Sequence, residues 1–182
     1  MAHAVEMYFD EATDSAVRGM WQSIAATGVP SAMLAGGYRP HVTLAVYDDL
    51  KDDGWFASTL EVLAGVAPPV SLTLSSYGIF PGAEGVLFLG VTVTDALCEL
   101  HGTFHTWFTD YQSSSRAHYA PDQWVPHCTL ALGLSLDEMA KALQACQGCP
   151  LPLTAQVTAF GLVEVSPISY REIAVFASRP LD

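Results

Sequence analysis

The sequence predicts an α+β fold in which two mainly antiparallel sheets with outer helices face a central cleft. Three observations lead to this prediction. Short apolar runs alternate with helix-like segments along the chain, the word PHVTLA at 40–45 returns as PHCTLA at 126–131, and no linker or low-complexity segment divides the sequence. A repeated word in equivalent strands indicates an internal duplication. We therefore expect residues 1–182 to form a single domain of two pseudo-symmetric lobes that share one core.

The first half of the chain begins with the short apolar run AVEMYF at 4–9, which is typical of a buried strand. A helix is predicted over 10–28, because acidic residues fill its first turn and a glycine follows its end. The β-branched run HVTLAVY at 41–47 predicts a second strand. The segment 55–66 predicts a helix that the break APP ends, and 70–80 predicts a third strand.

The second half repeats this order. After the turn PGAEG, the apolar run 85–93 predicts a strand and 95–111 predicts a helix. The second copy of the word lies in a strand predicted over 124–134. The helix after it starts with a capping box, Ser-x-x-Glu, at 135–138. The chain closes with a pair of predicted strands, 153–165 and 170–177.

Composition and charge narrow the range of functions. With 51% hydrophobic and 14% charged residues, the chain can bury a core. It lacks the run of about 18 apolar residues that a membrane helix needs and a secretory signal pattern, so we expect a cytoplasmic protein without membrane contact. Seven basic and nineteen acidic residues give a net charge of −12. Because long polynucleotides are held through several Lys and Arg contacts to phosphates, we expect no extended nucleic-acid surface. We also expect a monomer.

Cysteine and histidine patterns do not predict a metal site. The four cysteines are scattered, and the C-x-x-C pair at 146–149 has no second pair to complete a zinc site. His101 and His105 have i, i+4 spacing on a predicted helix but lack the glutamate of a metalloprotease motif. We expect them to be a surface or partly packed pair, and we expect no metal and no cofactor.

The repeated word places an imidazole and a hydroxyl side by side. Side chains alternate between the two faces of a strand, so His41 and Thr43 point to one face and Val42 to the other. The same holds for His127 and Thr129 in the second copy. One such pair in a strand is more often structural than catalytic. Two pairs in equivalent strands favour one shared site.

Two facing His-Thr pairs suit acid–base chemistry on a phosphodiester. Imidazoles titrate near neutral pH, so one can accept a proton while the other donates one. Threonine hydroxyls can hold the non-bridging phosphate oxygens without a metal. Arg39 shares the strand face of His41 and Thr43 and would add a positive charge for phosphate binding. Val125 has this place in the second copy, so the site is expected to be asymmetric.

A loop predicted over 111–124 precedes the second word and is placed to cover the cleft. Its aromatic residues could stack on a base, and further aromatic residues lie at strand ends. An ordinary exposed loop and ordinary core aromatics are the alternatives, and both stay open. The candidate substrate-pocket residues are Tyr38, Phe80, Arg116, Tyr119 and Trp124.

Paired His-x-Thr motifs in a duplicated α/β chain resemble those of the two-histidine (2H) phosphoesterases. RPHVTLA and PHCTLA match the motifs closely, and the run 70–104 is similar to the stretch between them. This superfamily includes RNA 2′,3′-cyclic phosphodiesterases, the so-called 2′,5′ RNA ligases, and plant and yeast-type cyclic nucleotide phosphodiesterases. The resemblance covers most of the chain. It implies a bilobal fold whose central cleft is lined by His41, Thr43, His127 and Thr129. One histidine would activate water or a ribose hydroxyl and the other would protonate the leaving oxygen, in an order that the resemblance leaves open.

The resemblance implies a metal-independent phosphodiesterase that hydrolyses a 2′,3′-cyclic phosphate or a related nucleotide phosphodiester. RNA-handling members generally have a more basic surface, so the acidic charge favours a small nucleotide or a short RNA end as the substrate. Two alternatives remain. The cleft could belong to a non-catalytic nucleotide-binding module, or the protein could be an RNA 2′,5′ ligase that runs the reaction in reverse.

Overall fold

A computed structural model describes residues 1–82, 85–166 and 169–180. The described strands are β1 (Ala2–Phe9), β2 (His41–Tyr47), β3 (Ser71–Phe80), β4 (Val86–Val91), β5 (His127–Ala131), β6 (Leu153–Ser166) and β7 (Ser169–Ala177). The α-helices are α1 (Glu11–Ala26), α2 (Ala32–Ala35), α3 (Asp53–Val66), α4 (Asp95–Trp107) and α5 (Leu136–Ala145). Short 3₁₀ turns lie at Thr109–Ser114, Ala117–Tyr119 and Cys146–Gly148.

The strands pair in the order β2-β1-β6-β3-β4-β5, with β7 on β6, and every pairing is antiparallel. The long strand β6 joins two half-sheets. Its residues 153–156 pair with β3, and the rest of the strand pairs with β1 and β7. The first half-sheet is therefore β2, β1, β7 and the end of β6, and the second is β5, β4, β3 and the start of β6. The predicted α+β fold with mainly antiparallel sheets is confirmed.

The predicted elements are present, with three differences. Strand β5 is shorter than predicted because Pro126 lacks an N–H before it and Gly133 takes a positive φ of 74° after it. Helix α4 ends at Trp107, and the predicted loop over 111–124 contains two 3₁₀ turns. The four-residue helix α2 was not predicted, and its N-terminus is capped by Ser31. Residues 83 and 84 of the predicted PGAEG turn lie outside the described residues.

Helix α1 shows how the sequence directs packing. The Asp10 side chain accepts a hydrogen bond from the Thr13 N–H and caps the helix. Its buried apolar residues recur at helical spacing on one face; they are Val17, Met20, Trp21 and Ile24. This face packs on β5, in the half-sheet that does not contain β1, the strand before the helix.

Two indole groups connect the half-sheets at the strands that carry the repeated word. Trp21 of α1 donates its Nε1–H to the carbonyl of Thr129 at 3.1 Å. Trp124, just before β5, donates to the carbonyl of Thr43 at 3.0 Å. Each of these strands thus accepts a hydrogen bond from a tryptophan that is not part of its paired strands. The two hydrogen bonds help to fix β2 and β5 relative to each other.

Gly161 in β6 makes room for a tyrosine of the neighbouring strand. A Cβ at this position would overlap the ring and hydroxyl of Tyr8 on β1. We expect Gly161→Ala to lower the free energy of unfolding by about 1–3 kcal/mol, because the Tyr8 ring is buried and must shift. Urea unfolding measures this. Gly19→Ala in α1 is the matched control: it meets no atom within 4 Å, and we expect it to add up to about 1 kcal/mol. Equal effects of both changes would contradict the overlap at Gly161.

No helix within the described ranges is long and apolar enough to cross a membrane.

Candidate active site

The two repeated words lie on β2 and β5, which pack beside each other. In β2, His41 and Thr43 are partly exposed, whereas Val42 is fully buried. In β5, His127 and Thr129 are partly exposed in the same alternation. The predicted separation of polar and apolar faces is confirmed for both words. Each word therefore presents an imidazole and a hydroxyl on the same side of its strand.

Both imidazoles are held in the same way. His41 donates its Nδ1–H to the carbonyl of Arg39 at 2.7 Å, and His127 donates its Nδ1–H to the carbonyl of Val125 at 2.7 Å. A carbonyl oxygen only accepts, so the proton must lie on Nδ1 in each ring. The Nε2 atom of each ring is the one left for chemistry. The main chain two residues before each histidine thus sets its tautomer.

The surroundings of His41 contain a buried carboxyl group. Glu6 of β1 is 1% exposed, and its Oε1 lies 3.4 Å from His41 Nε2. The hydroxyl of Tyr170 donates to Glu6 Oε2 at 3.0 Å, and the hydroxyl of Tyr8 lies 3.0 Å from that of Tyr170. Burial raises the pKa of Glu6 above its usual 4.5, and the charge of His41 and the tyrosine hydrogen bonds oppose this rise.

The surroundings of His127 are aromatic instead. Its ring lies 4.9 Å from the ring of Phe80 and 5.1 Å from that of Phe88. Within the described ranges, no carboxylate oxygen lies within 4.0 Å of its ring nitrogens. Burial lowers the pKa of His127 below 6.5; the hydrogen bond to Val125 raises it, and the charge of His41 lowers it further. The last effect reflects the closeness of the two imidazoles.

A cleft of about 770 Å³ opens beside the second word. His127 and Thr129 line it. Four of the five candidate pocket residues also line it: Phe80, Arg116, Tyr119 and Trp124. The fifth, Tyr38, lies elsewhere, with its ring 4.3 Å from that of Tyr170 and 6.4 Å from that of His41. The cleft lining does not include His41 or Thr43.

Both arginines of the predicted site are engaged with other groups. The Arg39 guanidinium lies 3.9 Å from the centre of the Tyr8 ring and 3.4 Å from Glu172 Oε1. Arg116 forms an ion pair with Asp48 at 2.7 Å while it lines the cleft. In this structure Arg39 interacts with His41 through its main-chain carbonyl oxygen, which accepts the Nδ1–H hydrogen bond. Phosphate binding by its side chain stays a prediction.

His101 and His105 are more buried than expected, at 2% and 5% exposure. The His101 ring stacks on Trp124 at 3.8 Å with an interplanar angle of 5°, and its Nε2 lies 3.1 Å from the carbonyl of Leu44. Burial lowers the pKa of His101 to about 4, so the ring is neutral. The pair thus contacts both β2 and Trp124.

In the described part of the chain no group of His, Cys, Asp or Glu could hold a metal, and the four cysteines are free.

The sequence patterns missed the residues that make the two histidines different. Glu6, Tyr8 and Tyr170 surround His41, and Phe88 contacts His127. One signal was available. Glu6 is a charged residue inside the apolar run AVEMYF of a buried strand, and a buried charge needs a partner.

Comparisons with known proteins agree with this fold. The sequence profile of the 2'-5' RNA ligase superfamily matches residues 13–166. No curated protein sequence matches the chain. The protein TT0787 of Thermus thermophilus is similar in structure, with a TM-score of 0.66, 16% sequence identity and 97% of each chain covered.

The structure of E. coli LigT complexed with 3'-AMP is also similar, with a TM-score of 0.59 and 19% identity over 98% of this chain and 97% of that chain. A third structure, described as a phosphoesterase, has a TM-score of 0.56 and 18% identity over 98% of each chain. At these identities the similarity establishes the fold alone. The matched profile covers most of the chain and confirms the resemblance that the paired motifs indicated. The chain belongs to the 2'-5' RNA ligase superfamily.

Proposed function

We propose that this protein is a metal-independent phosphodiesterase that hydrolyses a 2′,3′-cyclic phosphate or a related nucleotide phosphodiester. The observation that carries the proposal is the matched geometry of the two words. In each, an Nδ1–H is fixed by a carbonyl, Nε2 is left for proton transfer, and a threonine follows on the same strand face. Two such groups suffice for general acid–base catalysis.

The different surroundings of the histidines support different roles. His127 is the general base, because burial favours its neutral form and its Nε2 has a free lone pair. His41 is the general acid, because the carboxyl group of Glu6 beside its Nε2 favours a proton there. Thr43 and Thr129 donate hydrogen bonds to the non-bridging phosphate oxygens and orient the phosphorus.

The proposed reaction adds one water molecule across a P–O bond. His127 Nε2 takes a proton from water as the water oxygen bonds to phosphorus. The bond from phosphorus to one ribose oxygen breaks on the opposite side, and that oxygen takes the proton from His41 Nε2. The products are a phosphomonoester and a free ribose hydroxyl. Proton exchange with solvent then returns both histidines to their starting states.

A small substrate fits the size and charge of the site. The cleft of about 770 Å³ is within the range of small-ligand sites, about 300–1,000 Å³. Four arginines are already paired with carboxylates, which leaves little basic surface for a polynucleotide: Arg18, Arg39, Arg116 and Arg171. E. coli LigT has been crystallised with 3'-AMP, NADP+, phosphate and ATP, and these complexes support a nucleotide ligand here.

Turnover separates the proposal from a binding module. The protein is incubated with each of the four 2′,3′-cyclic nucleoside monophosphates in the presence of EDTA, and products are separated by anion-exchange chromatography. We expect a nucleoside 2′- or 3′-monophosphate from at least one of them. A rise in melting temperature without any product would overturn the proposal and support a non-catalytic nucleotide-binding module.

The ligase alternative is tested with RNA substrates under the same conditions. An RNA fragment with a 2′,3′-cyclic end is supplied together with a second fragment that carries a 5′-hydroxyl. We expect the cyclic end to be hydrolysed faster than the two fragments are joined, because the fold offers little basic surface to hold two RNA ends. Joining as the faster reaction would favour the ligase.

A further inference from the structure

We propose that Glu6 is a positioning residue whose buried carboxyl group keeps on His41 the proton that the leaving oxygen receives, with Tyr170 and Tyr8 holding Glu6 in place. The inference rests on the proposed function, in which His41 is the acid. It concerns groups on β1 and β7 that lie outside both repeated words.

The contacts of His41 favour a proton on the ring nitrogen beside Glu6. Nδ1 carries one hydrogen, which it donates to the carbonyl of Arg39. Nε2 faces Glu6 Oε1 at 3.4 Å. A neutral Nε2 would bring its lone pair close to a negatively charged oxygen at this distance, whereas a proton on Nε2 makes the contact an attractive ion pair. With Glu6 1% exposed, little water screens this interaction.

The same distance leaves the Nε2–H available to a substrate. A charge-assisted N–H···O⁻ hydrogen bond is about 2.7–2.9 Å long, and 3.4 Å is an ion-pair contact without that closeness. Glu6 therefore stabilises the charge of His41 without competing for its hydrogen. A leaving oxygen in the site can accept the hydrogen while the carboxylate stays beside Nε2.

Two tyrosines fix the carboxyl group in this position. Tyr170 donates to Glu6 Oε2 at 3.0 Å and in turn accepts from Tyr8 at 3.0 Å. Burial raises the pKa of Tyr170, so its hydroxyl keeps the proton that it donates. The absence of a side chain at Gly161 lets the Tyr8 ring take its place. The hydrogen bond from Tyr170 lowers the proton affinity of Glu6 and so favours the proton on His41.

The second half-sheet has an aromatic ring, and no carboxyl group, at the position equivalent to Glu6. Glu6 of β1 pairs in register with Thr43, and Phe88 of β4 pairs in register with Thr129. Glu6 and Phe88 are thus equivalent positions, one beside each histidine. A carboxyl group beside His41 and an aromatic ring beside His127 make two otherwise matched imidazoles chemically different.

Several other titratable or charged groups act on this pair or on the tyrosines that hold Glu6. They are Tyr38 and Arg39 before β2, Glu172 on β7, Tyr119 in the loop, and His127 and Cys128 on β5. None of them lies between Glu6 Oε1 and His41 Nε2, which are in direct contact.

The test is Glu6→Gln, which keeps the shape of the side chain and removes its charge. We expect kcat at neutral pH to fall about tenfold or more with KM nearly unchanged, because Glu6 does not touch substrate. The basic limb of the pH profile of kcat should move to lower pH by about one unit or more. Glu164→Gln is the matched control, since it removes a carboxylate that pairs with the exposed Arg171 on the same sheet. It should keep the wild-type profile.

Tyr170→Phe is a second variant, and it should shift the basic limb in the opposite direction. It keeps the ring that packs on Tyr38. Without the hydroxyl donor the carboxyl group binds the shared proton more tightly, so the basic limb should move to higher pH. A purely structural role of this cluster would not shift the two variants in opposite directions. If Glu6→Gln does not fold, Tyr170→Phe alone decides: an unmoved basic limb overturns the inference.

An NMR titration of ¹⁵N-histidine-labelled protein makes the test independent of turnover. The His41 resonances are assigned from their loss in His41→Asn, and we expect their titration midpoint to fall in Glu6→Gln. An unchanged midpoint would overturn the role of Glu6, even in a protein that hydrolyses cyclic nucleotides. A shifted midpoint in a protein without turnover would overturn the proposed function and leave the Glu6–His41 pairing in place.

Discussion

Replacing His127 or His41 by asparagine is expected to lower kcat by about 10³-fold, with the fold intact. The expectation follows because one positioned proton donor or acceptor typically raises the rate about 10²–10⁴-fold. Asparagine keeps a side-chain amide that can still donate to the carbonyl of Val125 or Arg39, so each strand should keep its local structure. Initial rates on a 2′,3′-cyclic nucleotide measure the loss, and circular dichroism checks the fold.

The control for this prediction is His3→Asn, a histidine on β1 outside both words. It should hydrolyse the substrate at the wild-type rate. Because the two histidines act as a unit in one proton-transfer step, the double variant should be little slower than either single one. Full activity in His41→Asn or in His127→Asn would contradict the proposed roles.

Replacing Trp21 by alanine is expected to give the largest loss of stability, about 3–5 kcal/mol in the free energy of unfolding. The indole is 1% exposed, lies within the core face of α1, and donates to the carbonyl of Thr129. Its removal therefore leaves a cavity and an unpaired carbonyl in the strand that carries His127. Urea unfolding followed by circular dichroism measures the change.

Two further variants separate the causes of that loss. Trp21→Phe removes mainly the hydrogen bond and should cost about 1–2 kcal/mol. Trp55→Ala removes an indole that is 47% exposed and stacks on Tyr111, and should cost less than about 1 kcal/mol. A Trp21→Ala protein as stable as Trp55→Ala would contradict the connection between α1 and β5.

The elements could be predicted because their periodicities are local. In both β2 and β5, polar His-x-Thr positions alternate with buried ones, and this alternation is visible in six residues. The capping box at Ser135 and Glu138 is likewise local, and the structure confirms both of its hydrogen bonds. The end of α4 and the 3₁₀ turns after it depend on packing, so the sequence alone placed them less well.

The difference between the two histidines could not be predicted, because it depends on pairing between distant strands. Glu6 meets Thr43 and His41 only through the register of β1 on β2, and Phe88 meets Thr129 only through that of β4 on β5. The charge asymmetry expected from Arg39 and Val125 at the phosphate stays a prediction. Both supply a carbonyl to a histidine, and the Arg39 guanidinium lies over Tyr8.

The most direct test of two-histidine catalysis is the pH dependence of kcat/KM for a 2′,3′-cyclic nucleotide in the presence of EDTA. This quantity reports the acid and base of the free enzyme. Since burial lowers the pKa of His127 below 6.5, the base stays neutral to lower pH and the acidic limb should have its midpoint below 6.5. The basic limb should mark loss of the proton shared by Glu6 and His41. We predict a bell-shaped profile that EDTA leaves unchanged. A rate that rises steadily with pH, or that EDTA abolishes, would contradict the two-histidine mechanism.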